Sequence, residues 1–204
     1  METAEIIGKI SGLMVLLGAI PYAWRVWQGK ITPNIVTWLL FSLVELSMVL
    51  NYKNIGAEDN LWPAILAFVD SLFITIILLA KYRKKIKLKL FDYFCFFAGF
   101  ISLILWWYWL GNPIYAQYSL YAAMLADVFA GIATLNSDKN KPDEDRPYMW
   151  LMFAFAFGLD MFAIKDHNIA NYSLPIYMSL GAIVVAIPLI IYRLKLKIPL
   201  KYWI

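Results

Sequence analysis

Along the chain, apolar residues gather in seven long runs separated by short polar stretches. These runs are Ile6–Val26, Ile35–Leu50, Leu61–Lys81, Phe91–Leu110, Ile114–Leu135, Tyr148–Ile164 and Tyr172–Tyr192. A run of about 20 apolar residues, wound as a helix, matches the hydrocarbon thickness of a bilayer. A membrane β-barrel would instead alternate apolar and polar positions over about 10 residues per strand. The segment Ile74-Thr75-Ile76-Ile77-Leu78-Leu79-Ala80 offers no such alternation. The pattern therefore predicts an all-α integral membrane protein with seven transmembrane helices.

Composition strengthens that expectation. Of the 204 residues, 62% are hydrophobic and 16% charged, whereas a soluble domain carries about 25% charged residues. The connections between runs are too short to hold a soluble domain, so the chemistry must lie within the membrane or at its rim. Met1-Glu2-Thr3-Ala4-Glu5 is acidic and no small-residue cleavage site follows, so the first run is expected to be retained and not removed as a signal peptide.

Charge fixes the expected orientation. Lys9, Lys53 and Lys165 fall on one side of the predicted helices, and the other 15 of the 18 Lys and Arg residues fall on the opposite side. Basic loops mark the cytoplasmic face, which predicts an external N-terminus and a cytoplasmic C-terminus, in a plasma (inner) membrane. Trp24, Trp27, Trp38, Trp150 and Trp203 sit near the predicted cytoplasmic ends, and Trp62, Trp106, Trp107 and Trp109 near the outer ends, as interfacial belts do. The net charge of +4 is accounted for by topology and anionic lipid headgroups and calls for no nucleic-acid partner.

Internal repetition gives the organisation. Trp38-Leu39-Leu40-Phe41 and Trp150-Leu151-Met152-Phe153 lie 112 residues apart, as do Pro63 and Pro175. The pairs Tyr82-Arg83 and Tyr192-Arg193 lie 110 apart. Runs one to three and five to seven thus read as parallel copies. A single helix must separate them, and the fourth run, with nothing more polar than Cys95 and Ser102 between Phe94 and Leu105, suits that role. The expected units are a first three-helix bundle over 1–85, a linker helix over 86–112 and a second three-helix bundle over 113–204, a 3+1+3 arrangement. Parallel repeats are a transporter feature, with the substrate site near the midplane at the repeat interface.

The segment Gly18-Ala19-Ile20-Pro21-Tyr22-Ala23-Trp24-Arg25, followed by a basic stretch to Lys30 and by Pro33-Asn34, resembles the PQ-loop motif. With the 3+1+3 pattern, the chain resembles the PQ-loop and SWEET superfamily over essentially its whole length. That resemblance implies alternating access between two bundles, prolines as hinges and a central pocket. Tyr22 stands where the family has glutamine, and Ala133 stands where the second proline would be. SWEET-type sugar pockets use an asparagine on the third helix of each bundle, and the matching depths here carry Asp70 and Leu180-Gly181. The nicotinamide riboside uptake family shares the architecture, but its aromatic-rich motif is missing from the corresponding helices.

Four acids fall inside the predicted spans: Glu45, Asp70, Asp127 and Asp160. A carboxyl at that depth costs about 2.5–3.5 kcal/mol on insertion scales, so each is a candidate substrate- or proton-binding group. The alternative is a hydrogen-bonded carboxyl that joins helices. Under the family arrangement Glu45, Asp70 and Asp160 are expected to converge at the bundle interface, with Asp127 deeper toward the cytoplasm. Pro21 is expected to end the first helix as a hinge, Pro188 to kink the seventh, Asn34 to cap the second, and Trp38 and Trp150 to border the pocket. His167 and the Asp143-Glu144-Asp145 cluster read as solvated loop residues.

No nucleophile constellation or phosphate-binding glycine loop occurs, so an enzyme is not expected. The seventh run lacks the lysine that a retinal Schiff base needs, and the single cysteine, Cys95, excludes an internal disulfide and a cysteine-ligated metal. No cofactor or metal is predicted. The expected function is transport of a small solute, either proton-coupled or cationic, and the alternative is a PQ-loop-type receptor or sorting protein without transport. Expected partners are membrane lipids and a small-molecule substrate, and a homo-oligomer is compatible with the sequence.

Overall fold

The computed structural model describes residues 3–82 and 90–204. Among the described residues there are seven α-helices and no strand: α1 Thr3–Gln28, α2 Ile35–Asn54, α3 Trp62–Tyr82, α4 Leu90–Tyr108, α5 Pro113–Asn140, α6 Pro147–Asp160 and α7 Ile169–Lys195. Short 3₁₀ turns precede α3 at Asp59–Leu61 and α6 at Pro142–Glu144, and follow α6 at Met161–Ala163. The basic residues from Arg83 to Lys89, and the unit boundary at residue 85, lie outside the described residues.

Five helices are long and apolar enough to cross a membrane: α1, α2, α3 with its preceding turn, α5 and α7. Two shorter apolar helices, Asp92–Tyr108 and Pro147–Ala163, complete the set. Leu13, Leu17, Ile20, Phe73 and Ile76 point outward and are exposed. Such a surface is disfavoured in water and suited to lipid. The chain is a membrane-embedded helical protein.

The helix ends follow from local chemistry. The Asn34 side chain accepts a hydrogen bond from the Val36 N–H at 2.9 Å and starts α2. Pro147 occupies the first position of α6, where no helical N–H is missed. Asn168 caps α7 by accepting from the Asn171 N–H at 2.8 Å. Pro21 does not end α1, as the sequence led one to expect. The helix runs on through it to Gln28. Proline removes the hydrogen bond to the Leu17 carbonyl without breaking the helix, since neighbouring helices hold its two halves in line. Pro175 and Pro188 likewise lie within α7.

Six helices close a ring in which α1 packs on α3, α3 on α2, α2 on α5, α5 on α7, α7 on α6, and α6 back on α1. Helix α4 stands outside this ring and packs on α2 and α5. Glycines set two of the close approaches along α1. A Cβ on Gly8 would collide with the Asp59 backbone, and one on Gly18 would fall 2.8 Å from the Met152 Cβ and 3.2 Å from the Met149 carbonyl oxygen. Such small positions let helix backbones approach closely in a membrane. One end of the ring gathers Arg25, Lys30, Arg146 and Arg193, and is termed the basic end below.

Candidate functional site

Inside the ring lies a cavity of about 290 Å³. Toward the basic end it is bordered by Trp38 and Phe41 on α2 and by Trp150 and Phe153 on α6. Each pair is spaced i, i+3, which puts both rings on one helix face. The rings form a chain, with centroids 6.0 Å apart for Trp38 and Phe41, 6.3 Å for Phe41 and Trp150, and 6.5 Å for Trp150 and Phe153. Trp38 and Trp150 thus both line the cavity at its edge. Tyr22 packs on Trp38 with ring centroids 5.4 Å apart.

Deeper in the cavity are Glu45 on α2, Ser71 on α3, Asp127 on α5 and Tyr177 on α7. The Ser71 hydroxyl donates to Glu45 Oε2. The Tyr177 hydroxyl donates to Asp127 Oδ2 at 2.9 Å, while Asp127 Oδ1 has no hydrogen-bond partner. No Lys, Arg or His is among the residues lining the cavity. Two buried carboxyls with no basic side chain beside them must be balanced by protons or by a bound cation.

The other two acids lie elsewhere. Asp70 follows the other side of α3, where it lines a groove of about 470 Å³ between α1 and α3, and its Oδ2 has no hydrogen-bond partner. Asp160, at the end of α6, is fully buried with neither carboxyl oxygen hydrogen-bonded, and it borders neither of these spaces. The acids that share the central cavity are thus Glu45 and Asp127, and not Glu45, Asp70 and Asp160. The reason is helical phase. Asp70 and Ser71 differ by about 100° around α3, so the serine faces the cavity and the acid faces α1. Pro21 and Pro188 do not line the cavity.

The end opposite the basic end is held by polar contacts. The Tyr52 hydroxyl donates to the Asn171 carbonyl at 2.6 Å and accepts from the Asn60 side chain, and Lys165 pairs with Asp59 at 2.8 Å. At the basic end, a cluster escaped the sequence reading. Asp145 is buried rather than solvated. It accepts from the Arg146 N–H at 2.6 Å and from the Trp150 indole at 3.1 Å, while Arg193 donates to its carbonyl at 2.6 Å. Asp138, past the apolar part of α5, is buried beside it, with Oδ2 unpartnered. Burial pushes the Asp138 carboxyl up to about 9, the Asp145 charge adds to this and Arg193 opposes it. Burial also raises Asp145, against its hydrogen bonds. Asn34, besides capping α2, borders a small crevice with Trp38, Asp138 and Asp145. The available signal was Trp150 five residues beyond Asp145, an indole N–H in need of an acceptor.

No protein-family model, curated protein or solved structure matches this chain.

Proposed function

We propose that this protein is a seven-span membrane carrier that moves a small cationic or proton-coupled solute by alternating access, with two parallel three-helix bundles rocking about the central cavity. The observation that carries this reading is the pair Glu45 and Asp127, two carboxyls in one aromatic-walled cavity with no basic side chain among the lining residues. A wall of this kind suits a cation, which the carboxyls neutralise and the ring faces attract.

The order of the ring supports the bundle reading. Replacing α1, α2 and α3 by α5, α6 and α7, and the reverse, turns each ring contact into another ring contact. Helix α4 supplies no residue to the cavity lining, as befits a linker. Trp38 and Trp150, 112 residues apart, meet the cavity from opposite copies. With the basic end cytoplasmic, the aromatic chain is the inner gate and the Tyr52–Asn171 contact the outer one.

Purified protein in sealed vesicles, given a pH difference and a panel of cationic metabolites, amino acids, sugars and vitamins, tests the reading. A solute should accumulate in wild type, and Glu45→Gln or Asp127→Asn should abolish accumulation while leaving a folded protein. Asp70→Asn should retain it. Solute binding without flux for every compound would instead favour a receptor or sorting role on the same architecture.

A further inference from the structure

Helices α5 and α7 pack on each other, but their seam is open at two glycines. Gly131 on α5 and Gly181 on α7 both line the cavity, and a Cβ at either position would meet nothing within 4 Å. Val128, Ile132 and Val184 line the same cavity and are 39%, 43% and 52% exposed, more than residues sealed within a closed ring would be. Residues that border the interior and the exterior together frame a window. Asp127 and Gly131 are spaced i, i+4, as are Tyr177 and Gly181, so the Asp127–Tyr177 hydrogen bond spans the seam one turn above the two glycines.

The first copy lacks this window. Shifted by 112 residues, Gly131 becomes Ala19 and Gly181 becomes Val69, both lining the α1–α3 groove. That groove takes its lining from α1 and α3 alone and does not reach Glu45. The added side chains seal in one repeat what the glycines leave open in the other. The surface around the window is hydrocarbon-like, with Leu125, Ile183 and Ile187 exposed beside it.

We propose that the cavity is loaded from the bilayer through the α5–α7 window, and that its substrate is an organic ammonium ion whose apolar body partitions into lipid. The substrate class rests on the carrier reading above. The window does not. An ammonium held at the interface by its charge presents its apolar body to the seam, passes between two glycines, and finds two carboxyls and four aromatic rings within. A small hydrophilic cation has no such route, because the aromatic chain blocks one end of the cavity and the Tyr52–Asn171 contact the other.

The test uses the full chain in lipid vesicles and labelling of buried carboxyls by carbodiimides. A carboxyl oxygen adds to the carbodiimide carbon while its proton passes to nitrogen, the O-acylisourea so formed rearranges by transfer of the acyl group from oxygen to nitrogen, and the stable N-acylurea is located by peptide mass spectrometry. Lipid-soluble dicyclohexylcarbodiimide should label Glu45 and Asp127, and a charged water-soluble carbodiimide should not. Hexyltrimethylammonium should protect both residues, and choline at equal concentration should not. Gly131→Leu and Gly181→Phe should each slow this labelling about tenfold, while labelling of Asp70, in the lipid-facing α1–α3 groove, proceeds at the wild-type rate and reports an intact fold. Unchanged rates at Glu45 and Asp127 in both variants, or labelling by the water-soluble reagent, would overturn the window. Equal protection by choline, or none by either ammonium, would overturn the substrate class. Protection without flux in vesicles would sink the carrier reading and leave the window standing.

Discussion

The Tyr177 hydroxyl reaches from α7 to Asp127 on α5 with a 2.9 Å hydrogen bond, one turn from the two glycines where the seam between these helices is open. Tyr177→Phe removes the donor and leaves both Asp127 oxygens without a hydrogen bond. A buried acceptor so orphaned costs about 1–3 kcal/mol. A lower melting temperature in detergent is expected, with the loss largely relieved in the double variant Tyr177→Phe with Asp127→Leu, which leaves no polar group to orphan, measured as a double-mutant cycle.

Titration of Asp138 should appear as a pH dependence of stability. This residue lies beyond the apolar part of α5, and burial with the neighbouring Asp145 charge raises its folded-state value to about 9. Below its unfolded value near 4 the group is protonated in both states and its contribution is fully present. As pH rises from there through about 9, the unfolded chain releases the proton first and stability falls, by at most about 1.4 kcal/mol per pH unit. Asp138→Asn should flatten that part of the profile, as read by thermal unfolding from mildly acidic to mildly alkaline buffer. An identical slope in wild type and variant would contradict the assignment.

Gly18 should tolerate little. A side chain there meets the Met149 backbone and the Met152 Cβ on α6, and forced overpacking costs about 1–3 kcal/mol. Gly18→Leu is expected to lower thermal stability by that order, while Gly131→Leu, placed in open space, should shift it far less. The comparison separates a packing glycine from a window glycine.

Pro21 lies within a continuous α1, so its effect should be on motion and not on where the helix stops. Pro21→Ala restores the hydrogen bond to the Leu17 carbonyl and stiffens the segment. Turnover in vesicles should fall more than substrate affinity does. Equal loss in both would mark the proline as merely structural.

Much of the fold was legible because it is written in run length. Apolar stretches placed every helix, and the 112-residue spacing of Trp38 and Trp150 found two side chains that border one cavity. Position along each helix was legible too, since rise per residue is fixed. Phase was not. Asp70 was singled out for its depth, but a turn of about 100° separates it from the cavity-facing Ser71, and only the packing of α3 between α1 and α2 decides which side is inward. Asp145 was missed for a different reason. A run of acids beside prolines resembles a solvated turn, and its burial depends on Trp150 and on Arg193, 48 residues away.

The position of α4 makes the α2–α5 and α1–α6 seams unequal. Helix α4 lies against both α2 and α5, so it straddles one seam like the spine of a book. Parting α2 from α5 would strip α4 from one of its partners. Parting α1 from α6 separates the faces that meet at Gly18, the slight contact of α3 with α6 and the Lys165–Asp59 pair, but no helix that stands outside the ring. On the carrier reading proposed above, the covers swing from the α4 side, and the widest opening falls at the fore-edge, between α1 and α6.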